Sequence, residues 1–285
     1  MSSLKEIKER IGTVTSTMKI TGAMKMIASV KLHQAQAAIG RIRPYEQQLD
    51  SMLSRLLASG AEVRSPFAEE NREGKTAIVV CSSNSGLCGA FNVNVQKELA
   101  GWLKGYPKED VMLFPIGRKI REFLQKNGYP VEGIFDSLSE KPTYEAAASL
   151  ASTLMDLYAA GKVKRVEVLY HHYHNQMVQV LTTGTYLPVE PQAGNGELPA
   201  GNTDYILEPS PEELVVLLLP QVLRVKLFAW LLDNAASEHG ARTMAMQQAT
   251  DNATDLLQGL TVQYNKSRQQ AITNELLDIA GGVAR

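Results

Sequence analysis

Cysteine and long apolar runs are both scarce in this sequence of 285 residues. Its two cysteines, Cys81 and Cys88, are too few for a disulfide framework, so nothing indicates an oxidising compartment. A membrane-spanning helix needs roughly 20 apolar residues, whereas the longest apolar run, residues 214–232, is interrupted by a proline and two basic residues. The N-terminus has neither the apolar core of a signal peptide nor the acid-poor composition of a transit peptide. These absences predict a soluble protein of the cell interior.

Aromatic residues are absent from residues 1–44, and acidic residues are rare there. Residues 1–45 hold eight basic and two acidic residues, a net charge of +6, although the whole chain has a net charge of −1. Such a segment can meet nucleic acid, anionic lipid or an acidic protein surface, or simply form a solvated helix face. The lack of stacking platforms disfavours single-stranded nucleic acid, and the negative charge of the whole chain disfavours duplex DNA. We therefore expect no nucleic-acid partner.

Heptad periodicity marks both ends of the chain. From Leu4 to Leu56, alternating steps of three and four residues give sixteen positions, of which thirteen are apolar. This spacing of 3.5 residues, kept over seven heptads, is typical of a coiled-coil seam. A second seam with ten apolar positions out of fourteen runs from Leu218 to Tyr264, after a capping box that begins at Ser210. We predict that the two helices pair, most simply as one antiparallel coiled coil within the chain, although pairing between chains remains open.

The middle of the chain alternates short β-rich runs with amphipathic segments. This alternation predicts a mostly parallel, Rossmann-like sheet that ends in an antiparallel hairpin. The predicted fold class is therefore α/β, with a sheet domain at residues 76–188 inserted between long terminal helices at 1–57 and 210–285 that form an antiparallel coiled coil. The predicted strands are 76–82, 111–116, 131–135 (the weakest), 165–170 and 177–187, and the predicted helices between them are 91–104, 117–127 and 142–160.

Two glycine-bearing motifs resemble parts of phosphate-binding loops. Residues 73–76 (EGKT) end like a P-loop, but the first glycine of that motif is missing and the segment precedes a strand. Residues 84–90 (NSGLCGA) follow a strand and open a helix, where backbone N–H groups can hold an anion. Because G-x-x-G is short and no ribose-binding acid follows it at the usual distance, a tight turn packed on a partner is the favoured interpretation. A nucleotide-binding α/β enzyme with coiled-coil arms stays the alternative function.

Three histidines within residues 171–174 are a candidate metal site. On a strand only His172 and His174 share a face, and zinc requires three or four ligands. The two cysteines lack the short C-x-x-C spacing of metal or redox motifs, and Cys81 is predicted to lie in the core. No nucleophile elbow or H-E-x-x-H motif is present. We therefore interpret the histidines as a polar strand end and predict no metal, no cofactor and no catalytic residue.

Four segments strongly resemble the gamma subunit of the F-type ATP synthase, and the resemblance extends along the whole chain. The two terminal motifs are together highly specific, because each matches over ten or more residues. The matching segments are 5–28 (which ends in KITGAMKMIA), 85–89 (SGLCG), 236–246 (ASEHGARTMAM) followed by 249–253 (ATDNA), and 264–269 (YNKSRQ) followed by 271–276 (AITNEL).

The resemblance implies a mechanical role. In that family the terminal helices form the rotor shaft within a ring of alternating alpha and beta subunits. The α/β domain sits at the foot, with the epsilon subunit and the membrane ring of c subunits. Catalysis belongs to the alpha and beta subunits, so the resemblance implies a non-catalytic subunit that transmits torque in proton-driven ATP synthesis. It also implies a peripheral location at the cytoplasmic face of a bacterial plasma membrane, reached only through the complex.

The resemblance further implies contact residues on the shaft and at the foot. The basic N-terminal segment suits the acidic loops of the beta subunits, and residues 279–285 are expected in an apolar collar that works as a bearing. The expected contacts with the alpha/beta hexamer are Met24, Lys25, Glu238, Arg242, Arg268, Gln269 and Thr273, and the expected contacts with the c ring are Tyr205 and Glu208.

Overall fold

Two long helices enclose a four-stranded sheet with its own short helices. The computed structural model describes residues 4–58, 65–189, 208 and 210–283. In chain order the elements are α1 (Leu4–Ala58), β1 (Lys75–Cys81), α2 (Phe91–Leu103), β2 (Val111–Ile116), α3 (Arg118–Lys126), α4 (Asp136–Glu140), α5 (Tyr144–Ala159), β3 (Val163–Tyr173), β4 (Gln179–Leu187) and α6 (Pro211–Val283).

The long helices α1 and α6 pack side by side in opposite directions. The hydroxyl groups of Thr21 and Thr250 lie 2.9 Å apart, whereas further along α1 Gln221 donates to the Tyr45 hydroxyl at 3.0 Å. Every predicted seam position on both helices is buried or half-buried. The two seams therefore meet within one chain, because apolar stripes at a 3.5-residue spacing remain in contact only along a paired helix.

The sheet has the strand order β2-β1-β3-β4. Strand β1 pairs in parallel with β2 and β3, and β4 closes the sheet by pairing antiparallel with β3. This confirms the α/β fold class, a mainly parallel sheet ending in a hairpin and flanked by two long helices. One face of β1, including Ile78, is covered by α2 and α3, and the other face, including the buried Cys81, by α5, α6 and the C-terminal part of α1.

One local prediction is wrong, and one short helix was not predicted. Residues 131–135 form no strand: only the Glu132 N–H reaches β2, where it donates to the Leu113 carbonyl at 2.8 Å. Gly133 follows with φ +79°, which ends the extended conformation after one ladder bond. The short helix α4 directly after this segment was not predicted, because five residues are too few to establish a helical period.

Helix α6 is also apolar enough to cross a membrane by length and composition alone, although the interrupted apolar run at 214–232 predicted no such helix. The two basic residues within 214–232 are too few to offset its apolar neighbours. In the structure, 44% of the apolar window of α6 that passes this test is buried against the rest of the chain. Packing within the chain therefore accounts for part of its apolar character.

Candidate functional site

Helix α6 extends well beyond the start of α1. The Thr254 hydroxyl lies 3.6 Å from the Met18 sulfur, which sets the register near the N-terminus of α1. Because α1 begins at Leu4, antiparallel pairing ends near residue 268 of α6. At about 1.5 Å per residue, the remaining part of α6 forms a single-helix overhang of roughly 20 Å. We call residues 268–283 the overhang.

The overhang exposes apolar side chains. Ile272, Leu276, Leu277 and Ile279 are 48%, 61%, 64% and 65% exposed, and the described part of the chain offers nothing to cover them. A contiguous apolar surface of this kind marks an interaction site. This exposed tip is therefore a candidate binding surface for a partner.

Three of the predicted contact residues lie where the overhang begins. Arg268, Gln269 and Thr273 are all exposed. The Thr273 hydroxyl donates to the Gln269 carbonyl of its own helix at 2.9 Å. Within the described chain, the side chains of Arg268 and Gln269 make no hydrogen bond or ion pair, so their donors are available to a partner.

On α1, Met24 beside the seam and Lys25 at a seam position are both half-buried. Sequence reasoning missed their exposed apolar neighbours Met26, Ile27 and Val30, which are 66%, 60% and 59% exposed. The sequence did contain a signal for these three residues, since they are apolar but lie off the seam. An apolar side chain off the seam of a paired helix does not contact the other helix of the pair, so it is available to another partner.

The other two predicted contact residues of the shaft are engaged inside the chain. Arg242 donates from Nη1 to Glu238 Oε1 at 2.7 Å, and both side chains are nearly buried, at 11% and 7% exposed. Burial raises the pKa of Glu238, and the Arg242 charge opposes that rise. From Nη2 the same guanidinium donates to the Ser85 hydroxyl at 3.0 Å and approaches the carbonyls of Ser85 and Gly86. Residues 84–90 therefore form a turn packed on α6, with carbonyl oxygens facing a cation.

The sheet is attached to α6 where β3 runs past the end of β1. The His171 N–H donates to Asn234 Oδ1 at 3.2 Å, and the Ser237 hydroxyl donates to the His171 carbonyl at 3.1 Å. Both α6 side chains are buried. They take the place of a neighbouring strand, since buried backbone groups must find partners. We call the contacts of Asn234 and Ser237 with His171, together with that of Asp233 with His172, the shaft–sheet junction.

The three histidines are separated by this junction. The His171 ring stacks on Phe91 with centroids 4.2 Å apart, and burial lowers its pKa to about 4. His172 turns the other way, and its Nδ1 lies 2.6 Å from Asp233 Oδ2. Within the described ranges, no three His, Cys, Asp or Glu side chains group closely enough to hold a metal ion.

A cluster of carboxyl groups lies beside the junction. Glu46 occupies a seam position of α1, and burial followed by repulsion from Asp50 and Asp233 raises its pKa to about 7. Lys226 and Arg43 oppose that rise. In the folded protein Glu46 therefore holds its proton at pH values at which an unfolded chain releases it.

We expect Glu46 to stabilise the folded protein less as pH rises through this range, opposite in sign to the buried His171 and His239, whose pKa values are lowered to about 4. Since the folded state binds the Glu46 proton more tightly, the contribution of this residue to the free energy of unfolding should fall by about 1 to 2 kcal/mol between pH 5 and pH 8, allowing for solvent screening of a half-buried group. Urea unfolding of Glu46→Gln at both pH values should show most of that loss removed. Glu9→Gln, on the exposed face of the same helix, serves as the control, and an equal pH dependence in both variants would contradict the assignment.

Comparisons with known proteins identify the family of this chain, with its paired long helices and single-helix overhang. A family model described as ATP synthase matches residues 3–284. A protein of Phocaeicola vulgatus named ATP synthase gamma chain is 52% identical over 99% of both chains. The gamma chain of Parabacteroides distasonis is 50% identical over 100% of this chain and 99% of its own. The chain belongs to the ATP synthase gamma chain family. The family indicated by the terminal motifs is thus confirmed.

Solved structures share the fold of this gamma-family chain. A chain of the Euglena gracilis mitochondrial ATP synthase, in a structure of OSCP, F1 and the c-ring, is 21% identical with a TM-score of 0.69, over 99% of this chain and 93% of its own. A Tetrahymena thermophila chain, in a structure of the central stalk and c-ring, is 20% identical with a TM-score of 0.59, over 81% of this chain and 99% of its own. At such identities the likeness concerns the fold alone.

The foot of this gamma-family chain is described only in part. Glu208, one of the two residues expected at the c ring, is exposed. Tyr205, the other, lies outside the described residues, as do the last two residues of the expected bearing segment 279–285. The contacts predicted for these positions stay predictions.

Proposed function

We propose that this chain is the central-stalk rotor subunit of an F-type ATP synthase. It transmits torque between a membrane c ring and a hexamer of alpha and beta subunits in proton-driven ATP synthesis, and it carries no catalytic residue itself. The observation that carries the proposal is the overhang, a single apolar helix that projects from the coiled coil in a member of the gamma chain family. Such a tip suits a bearing, because apolar contacts are non-directional and permit rotation.

Rotation can drive catalysis only through contacts that differ between the states of the catalytic subunits. A partner shifts a conformational equilibrium only by its differential interaction free energy with the states. The shaft changes from two helices to one near residue 268, so the surface that it presents to a surrounding ring is asymmetric. Each catalytic subunit then meets a different side of the shaft, and turning the shaft exchanges those environments.

We assign Arg268, Gln269 and Thr273 as the polar contacts that grip the hexamer. They are exposed at the base of the overhang, and hydrogen bonds to charged groups are worth about 1.5 to 3 kcal/mol each. Met24 and Lys25 are assigned to a second contact further down the shaft, next to the exposed apolar surface of α1.

Glu238 and Arg242 support that second contact from within the chain. Their ion pair holds the 84–90 turn against α6, so their part in the hexamer contact is to shape the surface beside Met24 and Lys25. Torque from the foot reaches α6 through the shaft–sheet junction, where buried hydrogen bonds from Asn234 and Ser237 bind the sheet directly to the helix.

The foot meets the remaining partners. We assign Tyr205 and Glu208 to contact with the c ring and place the epsilon subunit beside the α/β domain. The relatives at 52% and 50% identity are bacterial, which supports a position at the cytoplasmic face of the plasma membrane. Attachment to the membrane then comes only through the complex.

Reconstitution tests the proposal. The chain is mixed with alpha and beta subunits from the same source, and the assembly is weighed by native mass spectrometry while ATP hydrolysis is measured. We expect one copy per three alpha and three beta subunits, with hydrolysis dependent on its presence. A folded chain that stays outside the ring, or that hydrolyses ATP alone, would overturn the rotor assignment in favour of a nucleotide-using enzyme.

The double variant Arg268→Ala/Gln269→Ala tests the proposed polar contacts with the hexamer. We expect turnover to fall by at least about tenfold with assembly retained, since losing one hydrogen bond to a charged group in the rate-limiting state costs about 1.5 kcal/mol or more. Arg41→Ala/Gln47→Ala, exposed on α1 near the sheet, is the matched control and should turn over normally. Unchanged hydrolysis by the assembled Arg268→Ala/Gln269→Ala variant would remove these residues from the assignment.

A further inference from the structure

A polar cleft of about 340 Å³ opens between the sheet and both long helices. It lies at the carboxyl ends of the parallel strands β1 and β2, and its walls come from α1, the segments after both strands, α4 and α6. Every residue that lines it is polar or charged. The carboxyl edge of a parallel sheet is where α/β proteins bind ligands. Its position and its lining both make this cleft a candidate ligand site.

Two of the three acidic side chains in the cleft are already neutralised. Glu238 is paired with Arg242 at 2.7 Å. Asp136 is held by Arg121, which donates from Nη2 at 2.6 Å and from Nε at 3.3 Å. Each of these two carboxylates therefore has its own cation, although Arg121, unlike Arg242, lies outside the lining of the cleft.

The remaining ionisable groups of the lining are uncommitted or only loosely held. Lys31 and Glu140 have no hydrogen bond or ion pair within the described chain. Arg118 donates to the Asn84 carbonyl at 3.1 Å and lies 3.6 Å from Glu122, but its side chain is 53% exposed. Together they present two cations and one carboxylate to the cleft. The ten lining residues as a whole carry three cations and three carboxylates, so an anion is favoured locally, by the N–H donors of Lys31 and Arg118, rather than by a net positive charge.

His239 supplies an independent sign of a missing partner. It is only 7% exposed and lines the cleft, yet its Nδ1 has no hydrogen-bond partner among the described residues. Buried side-chain nitrogens without partners are rare in folded proteins. Burial, with Arg242 and Lys31 nearby, lowers the pKa of His239 to about 4, so at neutral pH the ring is uncharged and offers one N–H and one lone pair.

We propose that this cleft binds a phosphate group that retains one proton. Lys31 and Arg118 hold its charge, His239 forms a hydrogen bond with it, and Glu140 accepts its O–H. The carboxylate selects the ligand class: a hydrogen phosphate has an O–H to donate to Glu140, whereas sulfate is fully deprotonated and presents only acceptors to a carboxylate. A mixed set of cations and one free carboxylate therefore favours phosphate over sulfate.

The phosphate can be inorganic or part of a nucleotide, and the cleft favours the inorganic ion. Its volume is at the lower end of the roughly 300 to 1,000 Å³ typical of small-molecule sites. Apart from His239, which is only 7% exposed, none of its lining residues is aromatic or apolar, so it offers little surface for a base to stack on. This proposal does not depend on the rotor assignment, because the ligand is bound by this chain alone.

Isothermal titration calorimetry on the purified full chain tests the site, with inorganic phosphate, sulfate and ATP as separate titrants. We expect one saturable phosphate site, at least tenfold weaker binding of sulfate, and at least tenfold loss of phosphate affinity in Lys31→Ala and in Arg118→Ala. Both residues are exposed, so the variants should fold, which circular dichroism verifies. Lys19→Ala, a lysine on the exposed face of the same helix, is the control and should bind as the parent chain does.

Glu140→Gln provides the sharpest test. Its carboxamide N–H can donate to sulfate, so this variant should bind sulfate better than the parent chain does and lose the preference for phosphate. Binding of ATP that phosphate displaces would support the site and identify a nucleotide as the source of the phosphate group. An adventitious ion only, shown by equal binding of phosphate and sulfate in the parent and in Lys31→Ala, would overturn the proposal, as would no binding at all.

Discussion

Replacing Arg242 with alanine is expected to lower the free energy of unfolding by about 3 to 5 kcal/mol. The substitution leaves Glu238, whose side chain is 7% exposed, as a buried carboxylate without its cation. It also removes the donor that faces the Ser85 hydroxyl and the carbonyl groups of the turn. The loss is large because a buried charge retains its desolvation penalty when its partner is removed.

Urea unfolding followed by circular dichroism measures this loss, and tryptophan fluorescence reports the region next to the junction through Trp230, which stacks on Tyr170. Adding Glu238→Gln to Arg242→Ala should restore at least half of the lost stability, because the carboxamide is neutral. Arg242→Lys should rescue only in part, since one ammonium group cannot present the planar fork that bonds Glu238 and Ser85 together. A loss below about 1 kcal/mol in Arg242→Ala would contradict a buried ion pair.

The substitution Gly117→Ala is expected to cost at least about 3 kcal/mol. Gly117 has φ +103°, a conformation that residues with a Cβ rarely adopt, and a Cβ built there would lie 2.6 Å from the Ser82 carbonyl oxygen. The backbone must move to relieve that contact. Moving it disturbs the Ser82 hydroxyl, which accepts from the Ile120 N–H at 3.1 Å, and the start of α3 with Arg118.

Gly101→Ala is the matched control. Gly101 lies within α2, and no atom within 4 Å would meet the added Cβ. Alanine there should stabilise the protein by up to about 1 kcal/mol, through helix propensity and a less flexible unfolded chain. Thermal unfolding of both variants checks the pair, and similar effects at the two sites would show that Gly117 has no special conformation in solution.

The elements that depend on local pattern could be predicted from the sequence. Strand β2 has the predicted bounds, 111–116, because a buried run between turn signals marks a strand without further context. The heptad seams predicted two paired helices, since a 3.5-residue spacing requires a partner helix. The weak strand predicted at 131–135 does not form. Strand pairing depends on a neighbouring strand, and Gly133 has φ +79°, which the sequence does not decide because glycine adopts positive and negative φ about equally well.

The site was predicted from the terminal motifs rather than from chemistry. Arg268, Gln269 and Thr273 are exposed at the base of the overhang, where a partner can reach them. Glu238 and Arg242 matched the same motifs, yet the Arg242 side chain bonds to Glu238 and to Ser85 within the chain. Ser85 lies 157 residues from Arg242 in the sequence. No periodicity or spacing links residues so far apart in sequence.

The sequence by itself therefore determined the fold class, the two seams and the family, because each of these depends only on local periodicity or on contiguous motifs. Tertiary structure alone decided the register of α1 on α6, and with it the length of the overhang, since many registers keep apolar positions in contact while only one satisfies the specific contacts of Thr21 and Tyr45. It also decided that Lys31, Arg118, Glu140 and His239 line a common cleft, because that requires the sheet to be docked on both helices.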